Sequence, residues 1–207
     1  MGLREKHAAQ TRELILDAAF PLFLERGYEQ TTMEEIAARA QVGTTTLYRY
    51  YPSKDMLVMG PLELNGQMAT EFRSRPADEP VEVSLGHAVR AALTVPRAGL
   101  ERFLQIRQVI LQSSSLATRL LEQYTDERTR LQNALADRLG RPSHDLYCRA
   151  TARTAIMVLE LAGEVAGEDT WVLSTERHDD DFADRVLDSV THVVRQLMDT
   201  PPSLPQL

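Results

Sequence analysis

Between residues 44 and 54 the sequence TTTLYRYYPSK places threonines, a tyrosine, an arginine and a lysine at short, regular spacings. If residues 44 to 50 are helical, Leu47 lies on one face and Thr44, Thr45, Tyr48 and Arg49 lie on the outer one. These side chains suit a polyanion with heterocyclic edges. Threonine offers a hydroxyl to a base edge or a phosphate, and a methyl to thymine. Arginine pairs bidentately with guanine or clamps a phosphate, and a tyrosine phenol reaches a backbone phosphate. Lys54 stands where a further helix begins, so its charge and the free N–H groups of that helix end are suited together to phosphate. The chemistry these residues support is recognition, with no covalent step.

Such side chains read DNA only when something aims them. The required device is a short capped helix, a tight turn, and a second helix whose outer face enters the major groove. Residues 32 to 51 are patterned for it. Thr32 and Glu35 form the S/T-x-x-E signature of a capping box ahead of a helix over about Met33 to Ala40. A second helix is expected from about Thr44 to Tyr50. Ile36, Ala37, Val42 and Leu47 are spaced to pack the two together, and Ala37 and Ala40 are small enough for close approach. Upstream, Leu14, Ile15, Ala18, Ala19, Leu22 and Phe23 make one apolar stripe on a helix from about Thr11 to Arg26. Gly27 suits its left-handed C-terminal cap. Pro21 interrupts that helix's bonding to Asp17 and predicts a kink.

Charge is distributed to match. The 207 residues carry a formal net charge of -7. Residues 1–54 hold seven Lys/Arg and seven Asp/Glu, so the whole acidic excess lies beyond residue 54. The two lysines, Lys6 and Lys54, both fall in this neutral segment. One cysteine, Cys148, excludes an intrachain disulfide and fits a reducing cytoplasm; it reads as a small buried hydrophobe. The polar start, Met1 to Gln10, does not resemble a signal peptide, and no apolar run is long enough to span a bilayer.

The remaining chain also reads as helical, giving an all-α fold of about nine helices, with no strand-period run or hairpin signal. After Pro52, Ser53 is expected to cap a helix carrying Met56, Leu57, Leu62 and Leu64. Further helices are expected over Val81 to Leu93, Glu101 to Leu111, Leu116 to Leu139, His144 to Ala166 with Ser143 as cap, and Asp180 to Met198. Ser113 to Ser115 marks a turn or cap. The expected organisation is a three-helix reader over residues 1–55 followed by a larger helical body over 56–207.

The stretch TTMEEIAARAQVGTTTLYRYYPSKDML closely resembles the helix-turn-helix of the tetracycline-repressor (TetR) family. The marks are the IAARA run, TLYRYY in place of the family's Thr-Leu-Tyr-x-His-Phe, and PSKDML just after it. Upstream, ILDAAFPLFLERGYEQTTMEEIA matches the family's first helix and its Gly-Tyr-x-x-Thr link. The resemblance covers Thr11 to Leu57 and implies a DNA-binding transcription regulator. It implies that Thr44, Thr45 and Arg49 lie near base edges, and that Thr32, Thr46, Tyr48, Tyr50 and Lys54 mainly contact phosphates. Tyr50 and Tyr51 also read as core residues. Two positions depart from the family. Gln41 stands where the turn usually has glycine, at a cost of roughly 1 kcal/mol for a left-handed non-glycine. Gly43 stands where a serine-like cap is common.

For the body, the resemblance implies a homodimer that binds a palindromic double-stranded operator and is released by a small-molecule effector. Pairing two readers on a two-fold axis is also what a module with few base contacts needs. The candidate interface is the last two long helices, about 144–166 and 180–198. Candidate effector contacts are Phe103, Arg107, Tyr124, Tyr147, Met157 and Trp171, each of which also reads as ordinary core. Arg107 meets either an anionic ligand group or a glutamate such as Glu160. No cofactor, metal or membrane partner is expected. The histidines are scattered, and HDDD at His178–Asp181 reads as a solvated helix N-terminus. No phosphate loop or nucleophile motif points to an enzyme. The alternative is a ligand-binding protein of the same fold that has weak or lost DNA binding, suggested by the acidic body and Gln41.

Overall fold

A computed structural model describes residues 2–93 and 100–165, together with residues 188 and 192. These residues form helices and connecting turns and contain no strand. The helices are α1 (Leu3–Arg26), α2 (Met33–Arg39), α3 (Thr44–Tyr50), α4 (Lys54–Met59), α5 (Gln67–Ser74), α6 (Val81–Leu93), α7 (Leu100–Leu111), α8 (Ser114–Leu139) and α9 (Leu146–Val165). A 3-10 turn over Gly60–Leu62 follows α4. The last expected helix, about 180–198, and Trp171 lie outside the described residues, apart from helical Asp188 and His192.

The chain divides into two compact units, each assembled from separate stretches. The first comprises Met1–Glu63 and Gly99–Glu122, the second Leu64–Ala98 and Gln123–Leu207. Thus the segment that holds the helix-turn-helix is packed with α7 and the start of α8, which follow it by some forty residues or more.

In the first unit, α1 supplies the floor. Ile15, Ala19, Phe20 and Phe23 are fully buried, and α1 packs against both α2 and α7. Phe20 and Phe23 meet edge to face at 5.9 Å, and Phe23 lies 5.3 Å from Tyr28. Each buried phenylalanine contributes about 2–3 kcal/mol by leaving water. Ile36 from α2 and Leu47 from α3 are fully buried in the same cluster and anchor the two reader helices to this core. The expected stripe on α1 is corrected at one residue: Leu14 is 56% exposed, and Leu16 and Phe20 are buried on the same helix. The helix starts earlier than expected, at Leu3, and continues through Pro21.

The helix expected to run on from Lys54 is broken. Pro61 cannot donate a backbone bond, and Asn65 and Gly66 take left-handed φ values of 46° and 79°. A new helix, α5, starts at Gln67. Its free amides are taken by Glu127, a buried carboxylate on α8, which accepts from Gly66 N and Met68 N at 2.8 Å and Ala69 N at 3.3 Å. The second unit packs α6 against α5 and α9 around Met68, Phe72, Leu131, Leu135, Ala152 and Leu159, with Cys148 buried among them. Two expected caps differ. Asp145, not Ser143, caps α9, accepting from Tyr147 N and Cys148 N at 2.9 and 3.2 Å. Ser53 makes no side-chain cap at α4. Ser113 does cap α8, accepting from Leu116 N at 3.3 Å.

Candidate nucleic-acid interface

The reader is built outward from the capping box. Thr32 Oγ1 accepts from Glu35 N at 3.2 Å, and Glu35 Oε2 accepts from Thr32 N at 2.9 Å. These bonds hold the Glu35 carboxyl below its ordinary range, the backbone N–H of Thr32 contributing most. Arg26 pairs with Glu35 at 3.0 Å and ties α2 back to the end of α1. Gly27, which ends α1, has φ 87° and ψ 151°, an extended left-handed conformation open to glycine.

The turn between α2 and α3 is a complete Schellman motif. Val42 N donates to Ala37 O at 3.0 Å and Gln41 N to Ala38 O at 3.2 Å, with Gln41 at φ 55°. The departure from glycine at position 41 therefore leaves the turn formed. Gly43 is the N-cap of α3 and, lacking a side chain, leaves the first amides of α3 without a side-chain cap.

α3 turns Leu47 fully inward, while Thr44, Thr45, Tyr48 and Arg49 are exposed. The four outer residues named from spacing therefore share the solvent face. Thr46 and Tyr50 are half-buried, and Tyr50 and Tyr51 pack against the core cluster, so both tyrosines have a core role. Burial raises the Tyr51 hydroxyl above its ordinary range. Tyr48 Oη donates weakly to Glu34 Oε1 at 3.5 Å. Thr32 is exposed, with its hydroxyl engaged in the cap.

Arg12 was not singled out from sequence. Its guanidinium lies 5.4 Å from the Tyr50 ring centroid, and that of Arg49 lies 5.2 Å from the same ring. One aromatic ring thus gathers two exposed cations from α1 and α3. The signal in the sequence was the arginine itself, 38 positions before Tyr50, with nothing local to connect them.

Lys54 is placed differently from a free phosphate ligand. Its Nζ donates to Tyr28 O at 2.6 Å, Thr31 O at 2.9 Å and Glu29 O at 3.3 Å, and lies 4.3 Å from the Tyr28 ring centroid. Beside it, Tyr28 Oη donates to Asp55 Oδ1, and Asp55 pairs with Arg119 at 2.7 Å. Burial and the Asp55 carboxylate push the Tyr28 hydroxyl well above its ordinary range, which keeps it a donor.

The described residues expected at an effector lie on α7, α8 and α9. Phe103 and Arg107 are half-buried on α7 in the first unit. Tyr124 is half-buried on α8 in the second unit. Tyr147 and Met157 are 52% and 41% exposed on α9.

Comparison with known proteins agrees with this geometry. The family model described as "Bacterial regulatory proteins, tetR family" matches residues 15–59. A second, described as "MftR C-terminal domain", matches residues 79–197, more than half of the chain. The chain belongs to the TetR family of transcriptional regulators. It is 27% identical over 182 residues to the HTH-type transcriptional regulator TcmR of Streptomyces glaucescens, covering 84% of this chain and 79% of TcmR. It is 26% identical to MftR of Mycobacterium tuberculosis, covering 83% of this chain and 87% of that one. Over 53 residues it is 45% identical to the transcriptional repressor KstR of Rhodococcus jostii, 26% of this chain and 25% of KstR. Among solved structures, the SmeT–triclosan complex superposes with a TM-score of 0.56 at 21% identity, covering 95% of this chain and all of SmeT, 100%. NalD, the secondary repressor of an efflux pump in Pseudomonas aeruginosa, gives 0.55 at 21%, covering 89% and 96%. These two likenesses establish the fold.

Proposed function

We propose that the chain is a ligand-responsive repressor that binds a palindromic operator as a homodimer and is released by a small-molecule effector. The observation that carries this reading is α3: a core leucine on one face, and Thr44, Thr45, Tyr48 and Arg49 exposed on the other. In this reading Thr44, Thr45 and Arg49 meet base edges, while Thr32, Thr46, Tyr48 and Tyr50 meet phosphates. Arg12, held near Tyr50, adds a cation to the same surface. KstR and NalD are named as repressors, which supports the sign of regulation.

The dimer is proposed through α9 and the helix expected at about 180–198. On α9, Cys148, Ala152, Ala155, Ile156 and Leu159 are buried, whereas Tyr147, Ala150, Thr154 and Met157 form an exposed, mostly apolar stripe. A helix apolar on two faces calls for two partners. The effector is proposed as a small molecule taken up by the helical body, and the SmeT neighbour is a complex with triclosan. Phe103, Arg107 and Tyr124 keep the partial exposure that contact with a ligand requires. For release, the effector must prefer the arrangement of the two readers that fits the operator less well.

The test is binding to the promoter duplex nearest the protein's own gene, measured across salt concentrations. Sequence-preferring, salt-sensitive binding is expected. Arg49→Ala should weaken it by roughly 1–3 kcal/mol with the thermal midpoint unchanged. Absence of sequence preference under every salt and ligand condition would refute the reading.

A further inference from the structure

We propose that Lys54 is a positioning residue of the DNA reader: it aims the helix-turn-helix by clamping the α1–α2 loop, and it does not itself hold a phosphate. This inference rests on the DNA-binding reading given above.

An ammonium has three N–H donors and no acceptor. In Lys54 those donors meet three acceptors, the carbonyls of Tyr28, Glu29 and Thr31, at 2.6, 3.3 and 2.9 Å. Its charge also faces the Tyr28 ring. A phosphate oxygen would therefore have to displace one of these carbonyls from the ammonium; Tyr28 O also accepts from Thr31 N at 3.3 Å. The position of Lys54 adds to the case. It is the first residue of α4, where a positive charge opposes the helix dipole. Three converging carbonyl dipoles offset that repulsion, and in return the loop carbonyls find donors.

The clamped loop leads directly into the reader. Thr31, whose carbonyl Lys54 holds, is itself buried and donates from Oγ1 to Gly27 O at 2.9 Å. The next residue, Thr32, is the N-cap of α2. α2 sets the Schellman turn, and the turn sets the direction of α3. Tyr28 is fixed a second time, through its hydroxyl on Asp55, and Asp55 is held by Arg119 at the start of α8. Glu29 is fixed as well, since its Oε1 accepts from Ser113 Oγ at 2.6 Å and Ser115 Oγ at 3.1 Å. Lys54 is the group that gathers the backbone of this loop on one atom.

Charge-retaining and charge-removing variants separate positioning from phosphate contact. The full chain and its Lys54→Met and Lys54→Arg variants are titrated, across salt, on a duplex that the wild type selects from a random library and on an unrelated duplex. A phosphate contact contributes about 0.9 to the slope of log K against log salt for each lysine. Arginine would keep that contact but cannot place its planar fork on three converging carbonyls. Both variants are expected to lose about tenfold or more on the selected duplex. They should keep the wild-type salt slope and leave binding to the unrelated duplex unchanged. Without DNA, the amides of residues 28–36 should exchange faster in both variants, with the exchange of α7 unaltered.

A slope reduced by about 0.9 per lysine in Lys54→Met and restored in Lys54→Arg would overturn the proposal in favour of a phosphate contact. Wild-type affinity in either variant overturns it too. So does equal loss on both duplexes with faster exchange throughout the first unit, which marks a purely structural lysine. If Lys54→Met does not fold, Lys54→Arg alone decides between the readings, because it keeps the charge. Failure of the wild type to select any duplex counts against the regulator reading. The exchange measurement then decides the clamp by itself, and unchanged protection at residues 28–36 overturns it.

Discussion

Gln41 shows how a single residue bears on the reader. Its φ of 55° is a conformation that glycine adopts without strain and a side chain resists, yet the two Schellman bonds around it are intact. The strain is stored locally and the motif survives it. Gln41→Gly is therefore expected to stabilise the chain by up to about 1 kcal/mol, somewhat offset by the greater freedom of glycine in the unfolded chain. Urea unfolding checks this: the midpoint should rise with the slope unchanged. The left-handed position at 41 was legible through the family resemblance, which marks a glycine there. The Thr32–Glu35 box was legible from the residues themselves, because its partners are three positions apart. The partners of Lys54 were not legible. They stand 23 to 26 positions away, and they are backbone carbonyls, which no sequence pattern distinguishes.

Among the elements, the break between α4 and α5 is the clearest case of tertiary contacts overruling a local pattern. Leu57, Leu62 and Leu64 fit a continuing helix, and Pro61 alone does not say where a new one begins. Glu127 supplies that answer, 61 positions beyond Gly66, by accepting three amides at the start of α5. Glu127→Ala leaves those buried donors without an acceptor and should destabilise the chain by about 3 kcal/mol or more, measured by chemical unfolding. A second element contact depends on pH. Glu79 follows α5 and accepts from Arg75 Nε at 2.9 Å and from Ser84 Oγ of α6 at 2.6 Å. Chiefly through the Arg75 bond, its pKa falls from 4.5 to about 2. The folded value is depressed, so the contribution is present above pH 4.5 and is lost as pH falls toward 2. Glu79→Gln should therefore be less stable than wild type at pH 6, with the difference closing between about pH 4.5 and 2 in thermal unfolding.

For the whole molecule, the acidic excess beyond residue 54 and the exposed stripe of α9 bear on assembly. A neutral reader with few placed cations gains affinity by pairing, since two half-sites are then read at once. Met157→Glu places a charge in the proposed interface and is expected to shift the chain from dimer to monomer in sedimentation. Operator affinity should fall with it, while the helical content stays unchanged. A wild-type chain that is monomeric at micromolar concentration would refute this assembly. In the reading of the body, the apolar stripe of α9 was visible from helical spacing, whereas the division of that stripe between a core face and an open face was not.

The all-α class, the capping box of α2 and the outward set Thr44, Thr45, Tyr48 and Arg49 follow from the sequence alone. Each depends on periodicity or on bonds between near neighbours, and a helix repeats its faces every 3.6 residues whatever it packs against. Tertiary structure decided the rest. It turned Lys54 onto the loop, brought Arg12 to Tyr50, started α5 at the Glu127 cap, and packed α7 into the unit that holds the reader. These pairings join residues far apart in the chain, where side-chain spacing carries no information and only the folded backbone brings donor to acceptor.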